Sequence, residues 1–158
     1  MAIQAQQALF FTPLTMDHIP HVLHIERDAY PEPWTFNMLR DEVDQAARYF
    51  CLMYEQDILV GYGGFWMLLD EAHITRVTIV NEQRGRGLSK ILTQHILERA
   101  SVSGARYARL EVRESNTPAI RLYESLGFVQ DGFRKGYYQH TNENAILMSK
   151  ELEPKNCG

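Results

Sequence analysis

A short segment of glycine and basic residues, residues 83–90 with the sequence QRGRGLSK, has the spacing that most directly suggests chemistry. It lies between a predicted strand and a predicted helix that begins after Gly87. Glycines in such a loop allow backbone N–H groups to converge on an anion, and the helix N-terminus adds about half a positive charge. Arg84, Arg86 and Lys90 add mobile positive charge. The segment therefore predicts a phosphate site that suits a pyrophosphate.

The pattern differs from the two best-known phosphate loops. Lys90 does not follow the G-x-x-x-x-G spacing of a P-loop, and Gly85 and Gly87 do not complete G-x-G-x-x-G. The alternative interpretation is a solvated basic turn at the start of a helix. These residues alone leave both interpretations open.

A carboxylate further along the chain, Glu111, lies on a predicted strand. Residues 107–112 alternate as a strand, which places Glu111 on the face opposite the apolar side chains. The apolar face holds Ala108, Leu110 and Val112. A carboxylate placed in this way can take a proton directly or through water. The structural alternative is a salt bridge with Arg109 or Arg113.

The histidines and cysteines do not predict a metal site or a disulfide framework. His18, His21 and His24 recur every three residues, a step that drifts by about 60° around a helix. The two cysteines stand far apart, Cys51 in an apolar strand and Cys157 beside the C-terminus. We therefore expect a solvated helix face, a core cysteine and a tail cysteine.

The elements that must position these residues follow from periodicity and turn signals. A strand at residues 8–14 precedes a helix that starts near Ile19 and ends before Pro31, and Thr35 caps a second short helix. The predicted apolar stripe of that second helix holds Phe36, Leu39 and Val43. Three strands at residues 49–54, 58–69 and 72–80 predict an antiparallel meander. Gly61, Gly63 and Gly64 in its middle strand indicate a bulge or a close approach of another backbone.

The second half of the chain alternates helices and strands. The third helix runs from Gly87 to Gly104, a strand covers residues 107–112, and a fourth helix opens at Thr117-Pro118 and closes at Gly127. Two final strands at residues 128–134 and 144–152 are separated by a loop at residues 135–140, which is too long for a two-residue hairpin. The order β-α-α-β-β-β-α-β-α-β-β predicts a mixed sheet covered by helices.

Length and composition indicate one folded α/β domain and exclude several classes of protein. The chain has 158 residues, a core at about residues 8–152 and a short C-terminal tail at residues 153–158. Lys and Arg total 16 against 20 Asp and Glu, so the net charge of −4 argues against a nucleic-acid partner. The longest apolar run, residues 65–69, is far below the ~20 residues of a membrane span. The N-terminus does not look like a signal peptide, so we expect a cytoplasmic protein without a membrane partner.

Four ordered motifs resemble those of the GNAT N-acetyltransferases. They are RGRGLS at residues 84–89, LEVRxSN at 110–116, AIxLYESLGF at 119–128 and RxxYY at 134–138. Together with PEPWT at residues 31–35, they are similar in particular to the bacterial group that acetylates the N-terminal alanine of a ribosomal protein. The resemblance spans about residues 10–150 and implies a GNAT-type mixed, mostly antiparallel sheet of about seven strands flanked by about four helices.

The resemblance implies acetyl-CoA as the co-substrate, and no metal. The family's phosphate-binding pattern falls on Arg84, Gly87 and Ser89, of which Ser89 departs from the usual glycine or alanine. The implied cofactor-binding residues are Val77, Thr78, Ile79, Arg84, Gly85, Arg86, Gly87, Leu88, Ser89, Lys90 and Asn116.

The resemblance also assigns catalytic roles. Glu111 matches the general base, and Tyr123 matches the acid that protonates the departing thiolate of CoA. A phenol with a pKa near ~10 keeps its proton at neutral pH and can donate it. The structural alternative for Tyr123 is packing beside Ala119 and Ile120. Direct transfer in a ternary complex is expected, since Cys51 has no partnered histidine in view.

The same resemblance points to a peptide amine as the acceptor. Tyr137 and Tyr138 match aromatic residues that border the peptide site, although an exposed aromatic pair without a ligand is equally compatible. The predicted function is acetylation of an N-terminal alanine, with a small-subunit ribosomal protein as partner. The alternatives are an acetyltransferase for small amines or other N-termini, and a non-catalytic acyl-CoA sensor, which would need neither Glu111 nor Tyr123.

Overall fold

The computed structural model describes residues 8–155, and its seven strands form a single sheet. The strands are β1 (Leu9–Pro13), β2 (Arg48–Glu55), β3 (Ile58–Leu68), β4 (Glu71–Ile79), β5 (Tyr107–Arg113), β6 (Val129–Tyr138) and β7 (Glu143–Glu151). Their order across the sheet is β1-β2-β3-β4-β5-β7-β6, and only β4 and β5 are parallel neighbours. The predicted mixed, mostly antiparallel sheet is therefore confirmed.

Four α-helices accompany the sheet in this part of the chain, as predicted. They are α1 (Ile19–Ala29), α2 (Phe36–Arg40), α3 (Leu88–Val102) and α4 (Thr117–Ser125). Local signals explain their starts: Thr35 accepts a hydrogen bond from Met38 N at 3.3 Å, and Asn116 caps α4 by accepting one from Ala119 N at 3.3 Å. Within residues 8–155, no helix combines the length and the apolar character needed to cross a membrane.

Two apolar cores hold the helices against the sheet. One core joins β2–β5 and β7 to α3 and α4, with Leu92 and Ile96 of α3 fully buried. The other joins β2 and β3 to α1 and α2, with Ile19, Val22 and Leu39 fully buried. Burying one such side chain contributes about 1.5–3 kcal/mol, so these helix faces fix the layers of the fold. Cys51 is a free, buried cysteine as predicted, whereas Cys157 lies outside the described residues.

The second helix is shorter than its apolar spacing predicts. α2 ends at Arg40 and turns follow it, so the helix does not reach Val43. Leu39 is buried, but Phe36 is 43% exposed and does not share a buried stripe with it. The prediction of one stripe was therefore wrong. A helix of this length depends on its contacts with the rest of the fold, and Leu39 is its one buried residue.

The prediction of a loop at residues 135–140 was also wrong. β6 continues through that segment to Tyr138, which pairs with Glu143, and the register shifts between Arg134 and Tyr138. Gly136 takes a φ of 64°, a conformation that favours glycine and lets the strand absorb the irregularity. Tyr137 and Tyr138 consequently lie at the end of a strand.

A bulge in β4 opens the sheet beside β5. Gly64 of β3 pairs with Arg76 and the next residue pairs with Ile74, which leaves Thr75 as the extra residue on β4. The predicted irregularity near the glycines of β3 is thus confirmed, and so is the close approach, since a Cβ on Gly61 would lie 2.7 Å from Thr78 O. A bulge bends its strand and increases the local twist. β4 therefore pairs with β5 only from Glu71 to His73, and the two strands diverge beyond that point.

Candidate active site

A large cavity lies where β4 and β5 diverge. Its volume is about 1030 Å³, and it is lined by the glycine-rich loop, β4, β5, α4 and the end of β6. Among the predicted site residues, the cavity brings together Val77, Thr78, Ile79, Arg84, Gly85, Gly87, Leu88, Ser89, Lys90, Glu111, Asn116, Tyr123 and Tyr138. Residues far apart in sequence thus share one cavity large enough for an extended ligand.

The glycine-rich loop forms one end of this cavity. Gly85 and Gly87 adopt φ angles of 80° and 75°, and Gly87 caps α3 without any side-chain hydrogen bond. A Cβ on either glycine would meet nothing within 4 Å, so conformation and not crowding favours glycine here. The first N–H groups of α3 lack acceptors within the helix and face a region that is open to a ligand. This arrangement fits a diphosphate, which needs several backbone donors at once.

The basic side chains of the loop divide into two sets. Arg84 and Lys90 line the cavity, where their charge faces the space beside the backbone donors. Arg86 instead donates to Glu55 Oε2 at 2.6 Å and to Gln83 Oε1 at 2.7 Å, and its side chain is not part of the cavity wall. The Arg86 side chain thus has protein partners in this structure. The predicted contact between Arg86 and the cofactor stays a prediction.

The β4 wall continues from the loop towards the middle of the sheet. Val77, Thr78 and Ile79 pair with β3 on one side and have no strand partner on the side of β5. Tyr30 closes this wall, because its hydroxyl lies 2.6 Å from Thr78 Oγ1 and 3.4 Å from Val77 O. An extended ligand arm can therefore lie along β4 as an additional strand would.

Glu111 lines the same cavity from β5, and its partner is a histidine. Glu111 Oε2 lies 2.8 Å from His73 Nε2, whereas Arg109 pairs with Glu71 at 2.9 Å and Arg113 pairs with Glu143 at 2.9 Å. The alternative that assigned Glu111 to either arginine was therefore wrong. The hydrogen bond from His73 to Glu111 raises the pKa of His73, and it outweighs the opposing effect of burial.

Tyr123 projects from α4 into the cavity. Its ring packs edge-on against Phe128, with ring centroids 5.7 Å apart, and against the α3 core. Burial raises the pKa of Tyr123 well above its usual value, so the phenol keeps its proton throughout the neutral range. Tyr123 therefore has the packing role that the alternative predicts, and this role is compatible with a proton donor at the cavity wall. Asn116 lines the cavity beside α4 with its side chain occupied by the helix cap.

The opposite mouth of the cavity is built from two loops and the end of β6. Tyr138 lines it, with the Arg113 guanidinium 4.0 Å from the ring centroid, and burial raises the pKa of Tyr138 to about 12. Tyr137 stacks edge-on against Tyr138 at 5.0 Å but is 41% exposed and lies outside the wall. Glu32 Oε1 accepts a hydrogen bond from His140 N at 3.0 Å, which ties the two loops together across the mouth.

A buried ion pair behind the wall was missing from the sequence predictions. Glu26 is fully buried, and Arg76 Nη2 donates to its Oε1 at 2.6 Å while the Arg76 guanidinium stacks 3.6 Å from the Tyr30 ring centroid. Trp34 N donates to the same carboxylate at 2.8 Å, and Tyr62 donates to its other oxygen. The available signal was the position of Glu26 on the apolar stripe of α1. This network fixes Tyr30 against β4.

Comparisons with known proteins agree with this geometry. The model of the acetyltransferase (GNAT) family matches residues 19–128. The chain is 36% identical over 136 residues to a putative ribosomal protein bS18-alanine N-acetyltransferase of Bacillus subtilis, covering 85% of this chain and 90% of the relative. The crystal structure of the Escherichia coli ribosomal-protein-S18-alanine N-acetyltransferase superposes with a TM-score of 0.85 at 25% identity, covering 96% and 98% of the two chains.

A plant enzyme shows how widely this fold is shared. Arabidopsis thaliana NAA60 in complex with acetyl-CoA superposes with a TM-score of 0.83 at 19% identity, covering 92% of this chain and 100% of the other. That likeness concerns the fold alone. The family match, the bacterial relatives and the glycine-rich loop at an opened parallel strand pair all agree, and the chain belongs to the GNAT family of acetyltransferases.

Proposed function

We propose that this protein transfers an acetyl group from acetyl-CoA to the α-amine of an N-terminal alanine, and that its partner is a small-subunit ribosomal protein in the cytoplasm. The observation that carries the proposal is the convergence of the diphosphate-type loop, Glu111 and Tyr123 on one cavity. The names of the bacterial relatives, which act on ribosomal protein bS18, support the choice of acceptor.

Donor binding relies on backbone groups at two places along the cavity. The N–H groups at the start of α3 receive the diphosphate, and Arg84 and Lys90 neutralise its charge. The unpaired side of β4 at residues 77–79 receives the pantetheine arm and offers N–H groups to the thioester oxygen. Acetyl-CoA supplies an electrophilic thioester carbonyl, and the chain orients it towards β5.

Glu111 is the proposed general base. An ammonium group has no lone pair, so the acceptor must lose a proton before its nitrogen can attack the thioester carbon. Glu111 takes that proton, directly or through water, before the attack. After the N–C bond has formed, the nitrogen releases a second proton, which balances the proton that the departing sulfur takes up. Cys51 is unsuited to an acyl-enzyme route, because it is fully buried and burial raises its thiol pKa to about 11. The acetyl group is therefore transferred directly from acetyl-CoA to the amine.

Tyr123 is the proposed general acid. When the C–S bond breaks, the sulfur carries the electron pair away and needs a proton. The phenol of Tyr123 lies at the cavity wall, and its raised pKa keeps that proton available over the whole neutral range. Loss of the thiol from the cavity then completes the reaction.

The acceptor mouth suits a positively charged chain end. Glu32 and Glu111 line the cavity on this side, together with Glu143, which is paired with Arg113. Carboxylates attract an amine that is largely protonated in solution. At pH 7 an α-amine with a pKa of ~7.7–8.0 is roughly 10–20% neutral, against about 0.04% for a lysine side chain. One carboxylate base is therefore better matched to an N-terminus.

A mass-spectrometric assay with acetyl-CoA tests the proposal. The substrates are an alanine-starting ribosomal peptide, the same peptide with a blocked N-terminus and an internal lysine, and spermidine. We expect one added acetyl group on the free N-terminus and none on the blocked peptide. Acetylation of the blocked peptide at an equal rate would reject N-terminal specificity. Binding of acetyl-CoA without turnover on any amine would favour a sensor instead.

A further inference from the structure

The only hydrogen-bond partner that the described residues offer to the Glu111 carboxylate is His73. Glu111 Oε2 lies 2.8 Å from His73 Nε2, and no other hydrogen bond to the Glu111 side chain occurs within residues 8–155. An ionised carboxylate carries no proton, so His73 Nε2 must be the donor. Such a hydrogen bond to a charged group is short and directional, and it restricts rotation of the carboxylate.

The two residues occupy different environments. Glu111 lines the cavity with a side chain that is 18% exposed, whereas the His73 side chain is 39% exposed and does not line the cavity. The bond from His73 therefore approaches Glu111 from behind the cavity wall. One carboxylate oxygen is engaged there, and the second oxygen has no partner among the described residues that would draw it away from the cavity.

The surroundings of His73 hold its ring in place. The Trp66 ring of β3 stacks on it with centroids 5.8 Å apart, and the guanidinium of Arg48 on β2 lies 5.0 Å from the Trp66 centroid. The charged groups that face the imidazole are Glu111 and Arg109 on β5, Glu71 on β4 and Arg134 on β6. The carboxylates favour the imidazolium and Arg134 opposes it, and the balance raises the pKa of His73.

We propose that His73 is the positioning residue of the base: it fixes the Glu111 carboxylate from outside the cavity so that the free oxygen meets the acceptor amine. The inference rests on the proposed function, because it names a residue that serves the same proton transfer. No proton passes to His73 in this scheme. The proton leaves the ammonium nitrogen for the free oxygen of Glu111, and the Nε2–H bond of His73 stays intact.

Steady-state kinetics on His73→Leu and His73→Gln, alone and combined with Glu111→Gln, test the role. We expect His73→Leu to lower kcat between about 10-fold and 100-fold, the cost of a misplaced catalytic group, with an unchanged KM for acetyl-CoA. His73→Gln keeps an amide donor and should recover activity to within about 3-fold of wild type. In the Glu111→Gln background, His73→Leu should change kcat by less than about 2-fold, because the histidine then has no base to position. If the two residues acted independently, His73→Leu would instead lower kcat by the same factor in both backgrounds.

His24→Leu is the matched control, because that histidine is exposed on α1 and does not line the cavity. It should leave kcat unchanged. Thermal unfolding of each variant identifies a loss of activity that comes from loss of the fold. The role is overturned if His73→Leu matches wild type, if His73→Gln fails to restore activity in a folded protein, or if His73→Leu costs as much in the Glu111→Gln background as in wild type.

A titration of the histidine ring by NMR separates this inference from the proposed function, since it needs no turnover. The His73 pKa should lie above ~6.5 in the wild-type protein and fall in Glu111→Gln. A His73 pKa that does not respond to Glu111→Gln would overturn the pairing, whatever the enzyme acetylates. A wild-type protein that shows the pairing but acetylates no N-terminal peptide would reject the proposed function alone.

Discussion

The two ends of the cavity are built on different principles. The proposed donor end is centred on a single stretch of chain, residues 83–90, where Gly85 and Gly87 hold backbone amides towards the cavity. The acceptor end takes Glu111 from β5, Tyr123 from α4 and Tyr138 from β6, and its useful groups are side chains. Backbone donors tolerate a change of side chain, whereas a group that a side chain supplies is lost when that side chain is replaced. Substitutions should therefore act on binding at one end and on turnover at the other.

Replacing Glu111 should give the largest loss of turnover. A change in acetyl-CoA binding in the same variant would contradict the separation of binding and turnover between the two ends. Glu111→Gln should lower kcat by about 10²-fold or more, the scale of general base catalysis, with an unchanged Kd for acetyl-CoA. Stopped assays and calorimetry measure the two quantities. Glu114→Gln is the control, since Glu114 is an exposed neighbour that accepts a bond from Asn144. Equal losses in the two variants would contradict the role of Glu111.

Removing the phenol of Tyr123 comes next in size. Tyr123→Phe keeps the packing against Phe128 and should lower kcat about 10-fold. Because burial raises the pKa of Tyr123, wild-type activity should show no decline near pH 10 from ionisation of this group. A pH–rate profile of wild type and variant checks both points. Full activity of the variant would leave Tyr123 with a packing role only.

A matched pair of glycine substitutions tests the donor end. Gly87 and Gly104 both have positive φ and open space around the missing Cβ, but only Gly87 borders the cavity. Alanine at either position costs about 1 kcal/mol of backbone strain. Gly87→Ala should raise the Kd of acetyl-CoA about 5-fold, because binding must then force the loop back into the strained conformation at the cost of that strain energy. Gly104→Ala should leave this Kd unchanged. Equal Kd values would show that the loop does not hold the ligand.

The smallest expected effect concerns the scaffold of the donor end. The Tyr49 hydroxyl lies 2.6 Å from Nε2 of His95 on α3, and the His95 ring stacks on Phe11 with centroids 3.7 Å apart. Burial lowers the pKa of His95. A lowered folded pKa means that its contribution to stability is complete above ~6.5 and declines as the pH falls further. His95→Gln should reduce the stability difference between pH 7 and pH 5 by less than about 1 kcal/mol, as measured by urea unfolding. A larger difference in the variant would contradict this.

The glycine-rich loop and the strand position of Glu111 could be predicted from the sequence because their signals are local. Glycine spacing, the helix start at Leu88 and the alternation around Glu111 all depend on residues close together in the chain. The partner of Glu111 could not be predicted in this way, because His73 is brought to it by a parallel strand pair from 38 residues away. Arg109 and Arg113 were plausible partners because they are close to Glu111 in sequence, but both pair with other carboxylates.

The single extra residue in β4, Thr75, also decides which layer of the protein each later side chain enters. Ile74 and Val77 both meet the α3 core although their numbers differ in parity, and His73 and Arg76 both point to the other face. A regular ladder that included Thr75 without a bulge would therefore turn residues 76–79 over to the opposite face of the sheet. Deleting Thr75, by contrast, would keep Arg76 on the side of Glu26 and would remove only the bulge, and with it the bend that parts β4 from β5.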